Sequence, residues 1–343
     1  MQKIINKLKK KKIPLDIYID YCLYKFKESY YEKKKIFGPK GDFITSPYIS
    51  SIFGEMIAVF VANYFIRKGI NKFAIIEIGA GEGLMSKDII KTLNKFKEIK
   101  FTYSILEKSK NLKKTQKKKL KEFQVSWLNS LGTKKNKNVF ILSNELLDSL
   151  PVKHLKKINN KWFEKYVFYN ITEKKIETKY YKIKKINNKI FNLITKNIKF
   201  IEYSPLALNL LNKISNLIKK NKNNCFLTFD YGYTDSNFKN TLQGIKRHSK
   251  FSIFEDPGNV DITYLINFHL IKNIFNDNHL FNNIIMSQSK FLINNGILER
   301  LKRANKICSS EIEKRTLIKS VNRLIDVKQM GKLFKVFFVQ NDI

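Results

Sequence analysis

The stretch Ile75-Ile76-Glu77-Ile78-Gly79-Ala80-Gly81-Glu82-Gly83 decides the fold. Its apolar first half predicts a strand, and a helix is predicted to begin after Gly83. Glycines at alternating positions allow a tight turn and let the backbone approach a nucleotide-like ligand closely. The pattern E-x-G-x-G-x-G differs from the G-x-G-x-x-G of a dinucleotide site. Taken alone, it is also compatible with an ordinary strand-to-helix turn.

Strands and helices alternate on both sides of this stretch, which predicts an α/β fold. The predicted strands are residues 73–78, 101–106, 125–128 and 139–143, followed later by 225–229 and 333–340. Such alternation favours a parallel sheet with helices on both faces. Residues 153–170 are predicted to form a strand pair, and the Lys- and Asn-rich residues 173–199 are predicted to be an insertion.

Three predicted helices complete this outline. One covers residues 16–27, one runs from Pro47 to about residue 68, and one runs from Pro205 to about residue 219. Ser46 followed by Pro47 is typical of an N-cap followed by proline at the first helical position.

The composition limits the functional classes. A net charge of +37 would suit a nucleic-acid partner, but the lysines are spread along the whole chain and mixed with Asn and Ile. We therefore expect a solvated surface, with the dense runs 7–12 and 113–121 left open. A hydrophobic fraction of 43% predicts a folded core, and the apolar runs are too short to span a bilayer.

The cysteines and the N-terminus bear on the compartment. Cys22, Cys225 and Cys308 show neither a disulfide framework nor a zinc pattern, which favours a reducing compartment. The basic N-terminus has no apolar core typical of a signal peptide. We expect a cytoplasmic protein, in a bacterial cytoplasm or a matrix-like compartment, without a cleavable targeting segment.

Polar residues follow two of the predicted core strands. Glu107 ends one strand, where an acid can accept hydrogen bonds from both hydroxyls of a ribose. Asn144 and Glu145 follow the apolar residues 139–142, where catalytic or substrate-orienting groups face the ligand crevice. A surface glutamate at Glu107, and helix capping by Asn144 and Glu145, are the alternative interpretations.

Several motifs occur in an order that is typical of one family. They are Gly41-Asp42-Phe43-Ile44-Thr45-Ser46-Pro47, Phe53-Gly54-Glu55, the glycine-rich turn, Asn144-Glu145 through Leu150-Pro151-Val152, Asp230-Tyr231-Gly232, and Asp256-Pro257-Gly258 with Asp261-Ile262-Thr263. With them the chain resembles the MidA family of class I methyltransferases, from about Tyr18 to Gln340. That family includes a mitochondrial assembly factor that methylates an arginine on a respiratory complex I subunit.

The resemblance implies a Rossmann-like class I methyltransferase sheet with an N-terminal helical extension and inserted α+β segments. It implies that residues 1–70 close over the cofactor and that residues 71–343 form the core, with an insertion around 153–200. The implied cofactor is S-adenosyl-L-methionine. The implied substrate is an arginine of a protein such as a complex I subunit. In-line methyl transfer requires no metal, and from the spread of the lysines and the short apolar runs we expect no specific nucleic acid and no membrane span.

The resemblance also assigns the site residues. The cofactor-binding residues it implies are Gly41, Asp42, Thr45, Ser46, Pro47, Glu77, Gly79, Gly81, Gly83 and Glu107. Asn144 and Glu145 would border the target, with Asp148 as a further acid. Glu145 would accept hydrogen bonds from the guanidinium group, because carboxylates orient a charged arginine well.

The chain departs from the family pattern at several positions. Tyr48 stands where an acid is usual, Glu82 replaces a common arginine, and Asn267 replaces a usual aspartate. Lys153 occupies the place of a common histidine, with His154 displaced by one residue, which argues against His154 as a catalytic base. His248 fits a family histidine better, and we expect it to be structural.

Three other functions remain open from the sequence. The chain could be a methyltransferase fold that acts as an assembly chaperone without catalysis, although the intact glycines and Glu107 argue against this. A nucleic-acid methyltransferase is supported only by the charge and lacks an Asn-Pro-Pro-Tyr-type motif. An NAD enzyme is disfavoured by the glycine spacing.

Overall fold

The structure is a computed structural model that describes residues 2–32, 45–131, 138–184, 190, 192–193 and 198–341. Its helices are α1 (Gln2–Lys10), α2 (Leu15–Asp20), α3 (Ser46–Ile49), α4 (Ser51–Ile66), α5 (Leu84–Leu93), α6 (Lys110–Lys119), α7 (Pro205–Ile218), α8 (Phe268–Asp277), α9 (Gln288–Asn294), α10 (Ile297–Asn305), α11 (Glu311–Ile325) and α12 (Met330–Leu333).

The strands are β1 (Ile13–Pro14), β2 (Lys72–Ile78), β3 (Lys100–Leu106), β4 (Val125–Leu128), β5 (Val139–Asn144), β6 (Lys153–Ile158), β7 (Lys161–Asn170), β8 (Lys175–Lys182), β9 (Phe200–Tyr203), β10 (Cys225–Tyr233), β11 (Gln243–Lys246), β12 (Ser249–Phe251), β13 (Asp261–Thr263), β14 (Ile266–Asn267), β15 (Asn283–Ser287) and β16 (Phe334–Gln340).

The chain divides into two compact units, each built from separated segments. The first contains residues 1–43, 147–212 and 233–279, and the second contains residues 44–146, 213–232 and 280–343. No helix within the described ranges is both long and apolar enough to cross a membrane. The sequence-based division at residue 70 stays a prediction.

The second unit is organised around a sheet with the strand order β15-β16-β10-β5-β2-β3-β4. Strands β10, β5, β2, β3 and β4 run parallel to one another, and β16 is antiparallel to both β10 and β15. This mixed α/β sheet is the class I methyltransferase arrangement. The carboxyl ends of its parallel strands meet at one edge, where ligands bind in such folds.

One face of this sheet packs against α4 and α5 in a large apolar core. Phe53 and Phe65 of α4 are fully buried, as are Phe140 and Phe229 on the sheet. The rings of Phe53 and Phe229 meet edge to face with centroids 5.1 Å apart, and this geometry is favourable for aromatic pairs. The core therefore fixes the strands whose ends carry the polar residues.

The first unit contains a second, smaller set of sheets. Strands β1, β7, β6 and β9 pair in that order, with β8 on β7, and β12-β11-β13 form a separate three-stranded sheet. The predicted strand pair at 153–170 is confirmed as β6 and β7. Asn159 and Asn160 join them with φ angles of 45° and 59°, as a two-residue hairpin turn of type I′ requires.

Two helix predictions need correction. The helix predicted from Pro47 to residue 68 is interrupted, because Ser50 is extended (φ −158°) and its Oγ accepts a hydrogen bond from the N–H of Ile52 as the N-cap of α4. The N-cap of α3 is Thr45 rather than Ser46. The helix predicted for residues 16–27 ends as α2 at Asp20 and continues as a π-helical turn, Tyr21–Lys25.

Candidate functional site

The glycine-rich turn connects β2 to α5 with backbone angles that favour glycine. The φ angles are 71° at Gly79, 53° at Gly81 and 82° at Gly83. Gly79 donates a backbone hydrogen bond to the carbonyl of Leu106, so the turn is tied to the end of β3. A Cβ on Gly79 would lie 2.6 Å from Cδ1 of Leu146. The backbone angle therefore favours glycine here, and a larger residue would also have to displace the Leu146 side chain.

Glu107 lies directly after β3 and is largely buried. Its Oε1 accepts a hydrogen bond from the N–H of Ser109 (2.9 Å), and its Oε2 accepts one from Nε2 of Gln116 (3.1 Å). Burial raises the pKa of Glu107, whereas the bonds from Ser109 and Gln116 lower it. The backbone N–H of Lys108 is a third donor to this carboxylate, so about one of its four acceptor positions remains for a ligand hydroxyl.

Gln116 of α6 joins this cluster and was not predicted from the sequence. Its Nε2 also donates to the carbonyl of Gly81 (2.7 Å), and its Oε1 accepts a hydrogen bond from Nε1 of Trp127 (3.0 Å). It is fully buried in an otherwise Lys-rich helix. Its spacing of four from the buried Leu112 could have revealed it, because positions i and i+4 share a helix face.

Glu77 lies within β2, two residues before Gly79, and is 1% exposed. Its Oε2 accepts hydrogen bonds from the hydroxyls of Ser86 (2.5 Å) and Tyr103 (2.6 Å). Burial raises the pKa of Glu77 to about 7, although these two donors lower it. The contacts tie β2 to α5 and β3, so Glu77 holds together the elements on either side of the glycine-rich turn.

Glu145 follows β5 in a left-handed conformation with a φ of 48°. Its N–H donates to the carbonyl of Phe229 on β10, which fixes the backbone at the carboxyl edge of the sheet. Its Oε1 accepts hydrogen bonds from the N–H of Ser46 (3.0 Å) and from Nδ2 of Asn144 (3.1 Å). No helix begins at residues 144–150, so the helix-capping interpretation is wrong.

Two buried polar atoms beside Glu145 lack hydrogen-bond partners within the described part of the chain. They are Oγ of Ser46 and Oδ1 of Asn144. Ser46 is 0% exposed and Asn144 is 9% exposed, so little solvent reaches them. Because an unsatisfied buried polar group is costly, these atoms indicate a place where a ligand completes the hydrogen bonding.

Helix α3 also contacts the glycine-rich turn through Tyr48. The hydroxyl of Tyr48 hydrogen bonds with the carboxylate of Glu82, which also accepts a bond from Nζ of Lys119 (2.9 Å). Burial, followed by the Glu82 bond, raises the pKa of Tyr48. The two departures from the family pattern at positions 48 and 82 therefore contact each other. Helix α3 links the turn to Glu145.

The remaining predicted residues fall in several places. Thr45 is buried and Pro47 is the second residue of α3. Gly41 and Asp42 lie outside the described residues. Asp148 is buried in the first unit, where its carbonyl accepts a hydrogen bond from the N–H of Tyr264. His248 is at the exposed tip of the β11–β12 hairpin.

Comparisons with known proteins agree with this geometry. Residues 56–285 match the family model described as "Putative S-adenosyl-L-methionine-dependent methyltransferase". The chain belongs to this family. It is therefore a methyltransferase that depends on S-adenosyl-L-methionine, and the MidA resemblance is confirmed.

Individual relatives and a solved structure extend this result. A Caenorhabditis elegans protein named "Protein arginine methyltransferase NDUFAF7 homolog, mitochondrial" is 29% identical over 89% of this chain and 76% of its own. The Homo sapiens protein named "Protein arginine methyltransferase NDUFAF7, mitochondrial" is 25% identical over 90% and 76%. A Burkholderia thailandensis structure with bound S-adenosyl-homocysteine has a TM-score of 0.85, with 22% identity over 100% of this chain and 92% of its own, which shows the shared fold.

The residues of the second unit fit this cofactor. The three glycines of the turn carry no side chains at the carboxyl edge of the sheet, and the Glu107 carboxylate retains an acceptor position. The unsatisfied Oδ1 of Asn144 suits a donor such as the ammonium of the methionine part or a substrate N–H.

Proposed function

We propose that this chain methylates arginine side chains of a protein. The observation that carries the proposal is Glu145: Ser46 and Asn144 orient its carboxylate, at the same sheet edge as the glycine-rich turn. A carboxylate is the group best suited to hold a guanidinium, because paired N–H donors match its two oxygens. The names of the C. elegans and human relatives support the same substrate class.

The cofactor supplies an electrophilic methyl group, and we propose that the chain's residues align the acceptor nitrogen with it. Methyl transfer by in-line displacement gains most from this alignment and from exclusion of water. The Glu145 carboxylate would draw the positive charge toward two of the guanidinium nitrogens. The third guanidinium nitrogen would then be directed at the methyl group. Asn144 Oδ1 would accept a further N–H, which accounts for its unsatisfied state.

On the cofactor side, we propose that Gly79, Gly81, Gly83 and Glu107 make direct contact. Glu77 would act from beneath the turn, since its Oε2 is engaged by Ser86 and Tyr103. Thr45, Ser46 and Pro47, together with Gly41 and Asp42, belong to the proposed extension, residues 1–70, that closes over the cofactor. Asp148 remains a proposed further acid of the site.

The proposed partner is a protein substrate, such as the respiratory complex I subunit that the family resemblance implies. The test is incubation of the purified protein with methyl-labelled cofactor and an extract of its host, followed by acid hydrolysis and amino-acid analysis. We expect label in methylarginine. Label in nucleic acid or in another amino acid would contradict arginine specificity, and cofactor binding without any transfer would favour the assembly-chaperone alternative.

A further inference from the structure

The first unit contains an open pocket of about 580 Å³ that the methyltransferase site does not use. Its lining includes Leu15, His154, Lys165, Lys250, Phe251 and Phe254. The pocket combines apolar and aromatic walls with two lysines and one imidazole. This mixture is typical of sites for small ligands, in which a few polar groups set the specificity.

A row of polar side chains crosses the sheet at the base of this pocket. His154 of β6 stands directly opposite Glu202 of β9 in the strand register. Glu164 of β7 pairs with Leu155 of β6 in an antiparallel register. The next residue of β7, Lys165, therefore lies opposite His154. Because directly opposed residues point to the same face, Lys165, His154 and Glu202 lie side by side.

The hydrogen bonds of Glu202 determine which ring nitrogen of His154 carries the proton. The Glu202 carboxylate accepts bonds from the backbone N–H groups of Thr241 and Leu242. It also accepts one from the hydroxyl of Thr241, whose own oxygen accepts a bond from the N–H of Leu265. Glu202 thus acts only as an acceptor, and Nε2 of His154 donates to it at 2.7 Å.

The other ring nitrogen is left as an acceptor without a donor. Burial lowers the pKa of His154, which favours the neutral ring, so a proton on Nε2 leaves a lone pair on Nδ1. Among the described residues Nδ1 has no hydrogen-bond partner, although the side chain is only 1% exposed. A buried acceptor in this state calls for a ligand that brings its own donor.

Lys165 supplies positive charge to the same pocket. It is half-buried; burial lowers its pKa, and the negative charge of the neighbouring Glu202 raises that pKa by less. No carboxylate forms an ion pair with it within the described part of the chain. Lys250 lines the same pocket from β12 and is exposed. An anionic ligand would therefore meet one partly desolvated and one solvated ammonium group.

We propose that this pocket binds a small oxyanion that also carries a hydroxyl group. Lys165 and Lys250 meet its charged oxygens, and Nδ1 of His154 accepts the hydrogen bond from its hydroxyl. Two kinds of ligand share this chemistry: hydrogen phosphate, which keeps a P–O–H near neutral pH, and hydroxycarboxylates. Sulfate and simple carboxylates offer the charge without the donor.

The test is calorimetric titration of the full chain with two matched pairs of anions at constant ionic strength. One pair is inorganic phosphate and sulfate, and the other is lactate and propionate. We expect the hydroxyl-bearing member of at least one pair to bind about tenfold or more tightly than its partner, because the partner leaves Nδ1 unsatisfied. The pair that shows the difference identifies the ligand source.

Equal affinity within both pairs would overturn the proposal and assign anion binding to the general lysine excess. A variant adds a second test. Lys165→Met keeps most of the side-chain length, removes the charge, and should weaken binding of the preferred anion about tenfold. The control Lys161→Met alters an exposed lysine of the same strand, outside the pocket, and should change the affinity less than about twofold. Equal effects of the two variants would also contradict the site.

Discussion

Two carboxylate clusters lie at the same sheet edge, and they differ in how many of their buried polar atoms have hydrogen-bond partners. Around Glu107, the side chain of Gln116 forms hydrogen bonds with the carboxylate, the carbonyl of Gly81 and the indole N–H of Trp127 at once. Around Glu145, the carboxylate is oriented, but Oγ of Ser46 and Oδ1 of Asn144 have no partners within the described residues.

This difference distinguishes a preformed surface from one that a ligand completes. A satisfied network in a buried setting is rigid, because each bond limits the others, and it can hold a cofactor without rearrangement. Unsatisfied buried polar atoms raise the free energy of the unbound protein. A ligand that supplies the missing hydrogen bonds removes this cost when it binds. We therefore propose that the Glu107 cluster binds the cofactor and that the Glu145 cluster orients the substrate.

The largest effect should come from the turn between the clusters. Gly79→Val adds a branched side chain where φ is 71° and where a Cβ would already lie 2.6 Å from Leu146. We expect calorimetric titration to show cofactor affinity reduced by more than about 100-fold, equivalent to about 2.7 kcal/mol.

Gly69→Val is the matched control for Gly79→Val. Gly69 has a similar φ of 68°, but a Cβ there would meet nothing within 4 Å. It should cost about 1 to 2 kcal/mol of stability through backbone strain and leave cofactor affinity almost unchanged. Wild-type affinity in Gly79→Val would remove the turn from the cofactor site.

The next effect concerns the pH dependence of stability through Glu77. Its pKa is about 7 when folded, above the ordinary value near 4.5, so the folded state binds more protons between these values. The free energy of unfolding should therefore fall as pH rises from about 4.5 to about 7, by about 3 kcal/mol from this group. Urea unfolding across this range measures the change.

Glu77→Gln isolates that contribution. Its amide oxygen can still accept the bonds from Ser86 and Tyr103, and it does not titrate. The difference in unfolding free energy between wild type and variant should change by about 3 kcal/mol over this pH range, with wild type losing stability. A difference that stays constant with pH would show that folding does not raise the pKa of Glu77.

The smallest effect tests whether α3 connects the two clusters. Tyr48→Phe removes the hydroxyl that bonds to Glu82. Because the pair is partly exposed, the variant should lose about 0.7 kcal/mol of cofactor-binding free energy, which is about threefold in affinity. Tyr169→Phe, on β7 of the first unit, is the control and should have no effect. Identical affinities for Tyr48→Phe and wild type would mean that α3 stabilises the turn without help from this bond.

The parts of the site that depend on local chain geometry could be predicted from the sequence. Gly79, Gly81 and Gly83 were recognisable because a left-handed turn after an apolar strand selects glycine. The positions of Glu107 and Glu145 followed from the strand ends, since parallel strands bring their carboxyl ends to one edge.

The parts that depend on distant contacts could not be predicted. The helix-face position of Gln116 could be read from the sequence, but its bond to Gly81 spans 35 residues and the bond between His154 and Glu202 spans 48, so neither pairing leaves a local pattern. The break at Ser50 was hidden because the apolar residues Ile49, Phe53 and Met56 keep helical spacing across it. The signal was present in Ser50-Ser51, because serine before an apolar run favours an N-cap.

The most direct test of the account is single-turnover methylation of the cognate protein by Glu145→Gln at saturating cofactor. Removing the charge should slow methyl transfer about tenfold to a hundredfold, because a charge-assisted hydrogen bond contributes about 1.5 to 3 kcal/mol. Cofactor affinity should change less than about twofold, whereas Glu107→Gln should weaken affinity about tenfold and leave the saturated rate unchanged. An unchanged rate with lost cofactor binding in Glu145→Gln would contradict the division of roles between the two clusters.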